Sequence, residues 1–447
     1  MSLRRLTFTS VAIAIALSIG GWIFHLREAA AASARRTIAA AARLASERQQ
    51  LDESLAAFIR STEIDPASAF FKARVATLYL GRARSTGDYS DILSAEESAR
   101  ASLAIRDEHN EEASISLAAS LIGQHRFAEA AVIARDVVDR DPDSLEHQAL
   151  LGEILLELGD YEGARPIFRR LGKNRIALSW APRYARWLEL TGHADGARRI
   201  IRDAGEQAIG LDHLPREVIA WYYLRMGDLE FRDGGVNRAK LAYTEGLSVA
   251  PDDYRLLSAR ARLFSSIGEW KRAAADAEAS LATVLDPAPL AVLSDAYRAL
   301  GDSAKAQQAD AALEVAFLHQ PGPFHRAMSL FLLDHGRHVA AVLEKAQTEI
   351  ATRRDPYGYD VLAWALHASG RDVEALAAGD SALARGTEDA IIFYHIGMIE
   401  RSLGRNAAAT RHLTRALEIN PHFHPAHPAG ARAVLDSIER HRSAFSQ

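Results

Sequence analysis

The chain has 447 residues, of which 48% are hydrophobic and 25% charged, and its formal net charge is −5. With both signs interspersed and no long run of like charge, these totals call for neither nucleic acid nor a strongly charged partner. The absence of cysteine excludes disulfides, thiolate metal sites, cysteine nucleophiles and a lipoprotein anchor.

Residues 1–5 are a short tail carrying Arg4 and Arg5. Residues 6–26 follow as a transmembrane helix or uncleaved signal anchor, since Leu6 to Phe24 is uncharged and largely apolar. Its 19 residues, at about 1.5 Å of rise each, span about 28 Å, enough for a bilayer core of about 30 Å. Trp22 sits where an interfacial aromatic belongs. Ala30 to Ala34 offers cleavage sites for a signal peptidase, but Arg27 and Glu28 interrupt the neutral region that cleavage requires. The segment therefore reads as a retained anchor. Arginine outnumbers lysine heavily, which suits a GC-rich bacterial genome, and a short Arg-bearing tail followed by an apolar run is how export signals at an inner (cytoplasmic) membrane begin. Arg4 and Arg5 favour a cytoplasmic N-terminus, whereas Arg27, Arg35, Arg36 and Arg43 argue the reverse. The expectation is a single-pass protein with the rest of the chain in the periplasm, the alternative being a cytoplasmic domain.

Residues 27–45, mostly alanine and charge, suit a linker or capping helix. From there the same residues recur every 33 to 35 positions. Alanines stand at Ala130, Ala164 and Ala197, then at Ala239, Ala273, Ala306, Ala341, Ala375 and Ala409. Five residues ahead of most of them comes a glycine, as at Gly159, Gly192, Gly268, Gly301, Gly336, Gly370 and Gly404. Pro142, Pro251, Pro287, Pro321, Pro356 and Pro421 mark unit ends. Such a period means stacked helix pairs, because neither helix of a unit can bury its apolar face alone. In the unit from about Leu145 to Asn174, Leu151, Gly152 and Leu155 share one helical face. Gly159 ends that helix, Asp160 caps the next, and Ala164, Phe168 and Leu171 form the second buried face. A first repeat block is placed at 46–206 and a second at 218–422. Between them the step from Ala197 to Ala239 is 42, about eight residues too long, and 207–217 is read as an inserted loop. Residues 423–447 form a C-terminal linker and a capping helix.

The units resemble the tetratricopeptide repeat, whose pattern is an aromatic, a Leu-Gly pair, a tyrosine, then alanine, an aromatic and a proline. Phe393, Ile396-Gly397, Gly404, Ala409, Leu413, Ala416-Leu417 and Pro421 match it well. Met226-Gly227, Ala239, Tyr243, Leu247 and Pro251 do so again. Lys345 and Gly379 depart from it, standing where a bulky apolar residue is preferred, so loose packing is expected there. The resemblance implies an all-α fold, a right-handed superhelical solenoid that binds protein partners or extended peptide segments.

Motifs for chemistry are missing: the chain has no phosphate loop, no H-E-x-x-H and no G-x-S-x-G. The paired carboxylates Asp252-Asp253, Glu96-Glu97 and Glu111-Glu112 fall at helix starts or on solvent faces. His422, His424 and His427 are dense enough to bind zinc or nickel. The surrounding prolines make that segment a linker, however, and no adjacent carboxylate completes a site, so no metal is expected. The reading is a non-enzymatic scaffold in a bacterial envelope assembly, without cofactor, small-molecule substrate or nucleic acid. The alternative is a cytoplasm-facing adaptor that recruits a soluble enzyme or protease. In arrays of the resembled kind the first helix of each unit lines the concave groove. On that register Arg186, Arg255, Arg262, Arg298, Arg326 and Arg401 face the groove, with Trp221, Tyr357, Trp364 and Tyr394 interspersed. Guanidinium forks pair with carboxylates and aromatic faces hold apolar side chains, which makes a peptide-binding surface.

Overall fold

The computed structural model describes residues 35, 37–319 and 325–444, and all regular elements among them are α-helices. The tail and the expected membrane-spanning segment at 6–26 lie outside the described residues. Within them, no helix is long and apolar enough to cross a membrane. Helix α1 (37–64) is unbroken because its alanine- and charge-rich sequence contains neither glycine nor proline. The expected border at 45/46 between a linker helix and the first repeat therefore falls inside a single helix.

Ten helix pairs follow. They are α2 (Ala69–Thr86) with α3 (Tyr89–Ile105), α4 (Glu111–Gly123) with α5 (Phe127–Arg140), and α6 (Leu145–Glu157) with α7 (Tyr161–Leu171). Next come α8 (Ala181–Leu190) with α9 (Ala194–Ile209), α10 (Arg216–Arg232) with α11 (Val236–Val249), and α12 (Tyr254–Ser266) with α13 (Trp270–Leu281). Then α14 (Pro287–Ala299) pairs with α15 (Ser303–His319), α16 (Arg326–Asp334) with α17 (Val339–Thr352), α18 (Pro356–Ala368) with α19 (Asp372–Leu383), and α20 (Ala390–Ser402) with α21 (Asn406–Ile419). Helix α22 (His427–Ala444) packs on the last pair.

The α6/α7 pair shows why these residues fold this way. Gly159 takes φ +77, which ends α6 in a left-handed turn that a side chain would strain. Asp160 Oδ1 then accepts the Gly163 N–H at 2.9 Å and caps α7. Gly152 lets the two backbones close: a Cβ there would lie 2.9 Å from the Phe168 ring. Phe168 and Leu171 are fully buried beside it. The two departures from the repeat pattern do not loosen their units. A Cβ on Gly379 would meet Ile396 at 2.7 Å, so that isoleucine already fills the space. Lys345 lays its ammonium over the Phe317 ring at 4.2 Å and donates to the Phe317 carbonyl at 3.1 Å, so its aliphatic stem takes the apolar role.

Most of the residues inserted after Ala197 are helical. They lengthen α9 and α10 and leave only the turn between Ile209 and Arg216. That turn receives α1: Arg43 donates to the Asp212 carbonyl at 2.9 Å, and the Arg216 N–H donates to Glu47 at 2.7 Å.

A repeat array is expected to touch only its neighbours along the chain. Here the coil closes and stacks on itself. The Arg354 N–H donates to the Glu157 carbonyl at 2.8 Å, the Thr387 hydroxyl to the Leu190 carbonyl at 2.8 Å, and the Asn420 amide to the Phe231 carbonyl at 2.7 Å. Thr387 and Leu190 are 197 residues apart, close to six units of 33 to 35. Glycine turns of the first coil thus abut the links between pairs of the second. Gly192 lies so near Gly386 that a Cβ would come within 2.6 Å of its carbonyl oxygen.

A lumenal cavity and its histidine partition

Each pair presents its first helix to the inside of the coil. One position after the small packing residue of that helix stand Asp228, Arg262, Asp295, Leu330 and Trp364, at intervals of 33 to 35, and all five line internal cavities. One cavity, about 390 Å³, lies against α10, α12, α14, α16 and α20. Its apolar wall is built from Leu224, Ala259, Val292, Leu330, Phe331, Ile391 and Phe423. Three arginines complete it. Arg255 grips Asp253 at 2.6 Å, Arg326 donates to Asp360 at 2.6 Å, and Arg262 donates to Asp228 at 3.0 Å. The Arg262 side chain remains 57% exposed, so much of its donor fork is open to the lumen.

Behind Arg326, Asp360 also takes the ring nitrogen Nδ1 of the fully buried His395 at 2.6 Å. Burial alone would raise the Asp360 carboxyl, but His395 and Arg326 outweigh it and hold the acid below its usual range. Trp364 stacks on His395 with ring centroids 4.2 Å apart.

A second, more open chamber of about 550 Å³ adjoins the first and is lined by Arg298, Trp364 and Tyr394. The segment from Phe423 to His427 runs between the two chambers. It is more than a linker: Phe423 is buried and His427 is 8% exposed. The imidazoles of His424 and His427 stack at 3.7 Å, and Tyr394 stacks on His427 at 4.3 Å. Asp334, at the end of α16, faces both imidazoles. Its Oδ2 lies 3.2 Å from His427 Nε2 and 3.6 Å from His424 Nε2, while its Oδ1 accepts the Trp364 indole N–H at 2.8 Å. The expectation that no carboxylate joins these histidines is thereby corrected, because folding brings Asp334 in from the third pair upstream of the segment. Burial pushes both imidazoles below 6.5. It also works to raise the Asp334 carboxyl, but the hydrogen bond and charge of His427 prevail and hold it at about 2. His422, the third histidine of the run, is exposed.

The predicted groove residues reach the cavities in two sets of three, and four lie elsewhere. Arg255, Arg262 and Arg326 meet in the first cavity, and Arg298, Trp364 and Tyr394 in the adjoining chamber. Arg186 and Tyr357 are instead held in an ion cage where the coils stack. Arg186 lies 3.3 Å from Asp355, its guanidinium sits 5.1 Å from the Tyr357 ring, and the Tyr357 hydroxyl donates to Glu189 at 3.1 Å. Trp221 packs edge-on against Tyr222, in the cluster that holds Leu214, Val218 and Ala204. Arg401 donates to Asn406 at 2.5 Å, at the start of the next helix. Sequence reasoning missed Asp228, Asp295, Phe331, Asp334 and Phe423. The first two share the 34-residue register of Arg262 and were readable from it, whereas Phe331, Asp334 and Phe423 carry no such signal.

No curated protein matches the sequence significantly. Among solved structures, the chain is similar to the type IV pilus biogenesis factor PilW, at 18% identity over 48% of this chain and 96% of that one, with a TM-score of 0.40. It is also similar to PilF of Pseudomonas aeruginosa, at 16% identity over 50% and 93% with a TM-score of 0.38, and to yeast Tom70, at 10% identity over 92% and 96% with a TM-score of 0.37. Two stretches, residues 121–175 and 390–423, match family models of the tetratricopeptide repeat.

Proposed function

We propose that this chain is a non-catalytic scaffold that holds an extended segment of a partner protein inside its second coil. The reading rests on the cavity in which the exposed fork of Arg262 faces an apolar wall of Leu330, Phe331 and Ile391. A segment that places a carboxylate beside an apolar side chain meets both requirements, with a charge-assisted pair to the guanidinium and water released from the wall. Arg255 and Arg326 line the same cavity, fixed in place by their own carboxylates. The apolar run at 6–26 would tether the scaffold to an inner membrane, with the repeats in the periplasm as part of an envelope assembly.

A photoreactive residue at Ser258, which lines the cavity, tests the groove against the same residue at Val373, a convex position that is 75% exposed. The expected result is a discrete in-cell adduct from Ser258 that disappears with Arg262→Glu. Identical adducts from both positions, or one indifferent to Arg262→Glu, would remove the groove from the reading. A compartment-specific reporter fused after Gln447 addresses the tether. Periplasmic activity in the membrane fraction supports it, and cytoplasmic activity replaces it with an adaptor that recruits a soluble enzyme or protease.

A further inference from the structure

We propose that Asp334, His424 and His427 form a binding site for a divalent transition-metal cation of the zinc type, which pins the partition segment to the end of α16. The three residues each offer one ligand atom, and those atoms lie within 4.8 Å of one another. The two nitrogen–oxygen separations of 3.2 and 3.6 Å bracket the edge of a zinc tetrahedron, about 3.3 Å for bonds of about 2.0–2.1 Å. The donor chemistry is that of borderline-soft cations, two imidazoles and one carboxylate.

The surroundings are those of a supported site. The carboxylate is oriented by the Trp364 indole N–H, which donates to the oxygen that does not face the histidines. His427 is 92% removed from solvent, as its 8% exposure implies, and its Nδ1 is buried without a hydrogen-bond partner. Ligation through Nε2 puts the ring proton on Nδ1, which stays without a partner, so the site rests on its donor set and spacing and not on that nitrogen. All three ligands line both chambers, so the remaining coordination position opens to the lumen and accepts water or an incoming oxygen donor.

Binding also has a cost that the geometry makes explicit. The stacked rings must splay to aim both lone pairs at one point. Ligation through His424 Nε2 moves that ring's proton to Nδ1, which now accepts the N–H groups of Ala426 and His427 at 3.2 and 3.4 Å. His424 is therefore the weaker ligand, and His427 with Asp334 forms the anchor.

The test is a titration of tag-free, chelator-treated full-length protein with zinc and, separately, with cobalt, read by calorimetry and by the cobalt visible spectrum. We expect one equivalent of zinc and a tetrahedral cobalt band, both lost in His427→Ala and in Asp334→Asn, with affinity at least about tenfold lower in His424→Ala. His422→Ala keeps full binding. Circular dichroism checks that each variant retains its helices, and Asp334→Asn preserves side-chain volume in case His427→Ala loosens the segment. No binding by the wild type overturns the site, as does zinc bound equally well by Asp334→Asn and His427→Ala. Neither result bears on adducts formed at Ser258, so the metal site and the peptide groove stand or fall separately.

Discussion

Glu217, in the first turn of α10, is held in a contest between burial and charge. Its side chain is 17% exposed, with Arg84 and Arg255 each 3.8 Å away. Burial raises its carboxyl above the ordinary 4.5 by more than the two arginines lower it. The folded state therefore binds the proton more tightly than the unfolded chain does. Its stabilising contribution is complete below 4.5 and is lost as pH rises through the higher folded value. Glu217→Gln should leave stability unchanged at low pH and increase it at neutral pH. Urea midpoints of the two proteins between pH 4 and 7.5 should diverge upward, and parallel curves would show that the arginines already compensate the burial.

At the scale of the helix pair, the small residue on the inner face of each first helix sets the approach of its partner. Gly152→Leu must displace the Phe168 ring, which a Cβ alone would meet at 2.9 Å, and Ala164→Leu enters the same fully buried contact. Each should cost about 1–3 kcal/mol in chemical denaturation. Unchanged midpoints in both would mean that the pair is not packed through these residues. This pairing was legible from sequence, because a glycine, a capping aspartate and an alanine at fixed offsets each answer a local steric or hydrogen-bonding need. The same register led to Arg255, Arg262 and Arg326, since a period near 34 returns each first helix to the same orientation. It misled at Trp221, whose side chain packs with Tyr222 in another cluster. It was silent at Asp334, whose meeting with His424 and His427 depends on how a later segment folds back across the lumen.

The whole molecule is held by its seam as well as by its stack of pairs. Asp355 is fully buried there: it caps α18 through the Gly358 N–H at 2.7 Å and receives Arg353 at 2.9 Å and Arg186 at 3.3 Å. Arg353 in turn donates to Glu157 at 2.9 Å, across 196 residues of chain. Asp355→Ala would leave two guanidinium groups short of a counter-charge and should cost about 3–5 kcal/mol, several times the loss of an ordinary helix cap at about 1 kcal/mol. Small-angle scattering should show an expanded particle of undiminished helicity as the coils part. An unaltered radius of gyration would mean that the remaining seam contacts suffice. The seam was hidden from the sequence, because a single period describes a repeat and its neighbour and says nothing about the number of repeats per turn.

Coil closure turns that number into a structural constant. In an open array a unit can be gained or lost, and the rest of the chain shifts along without penalty. Here the loss of one unit between Gly192 and Gly386 would slip every later link by one place against the turn below, so that Thr387 no longer meets the Leu190 carbonyl, nor Asn420 that of Phe231. The chain behaves like the thread of a screw already seated in its nut, in which pitch and count must agree. Insertions are tolerated where they lengthen helices without adding a unit, as after Ala197, and duplication of a unit belongs at the ends rather than in the middle.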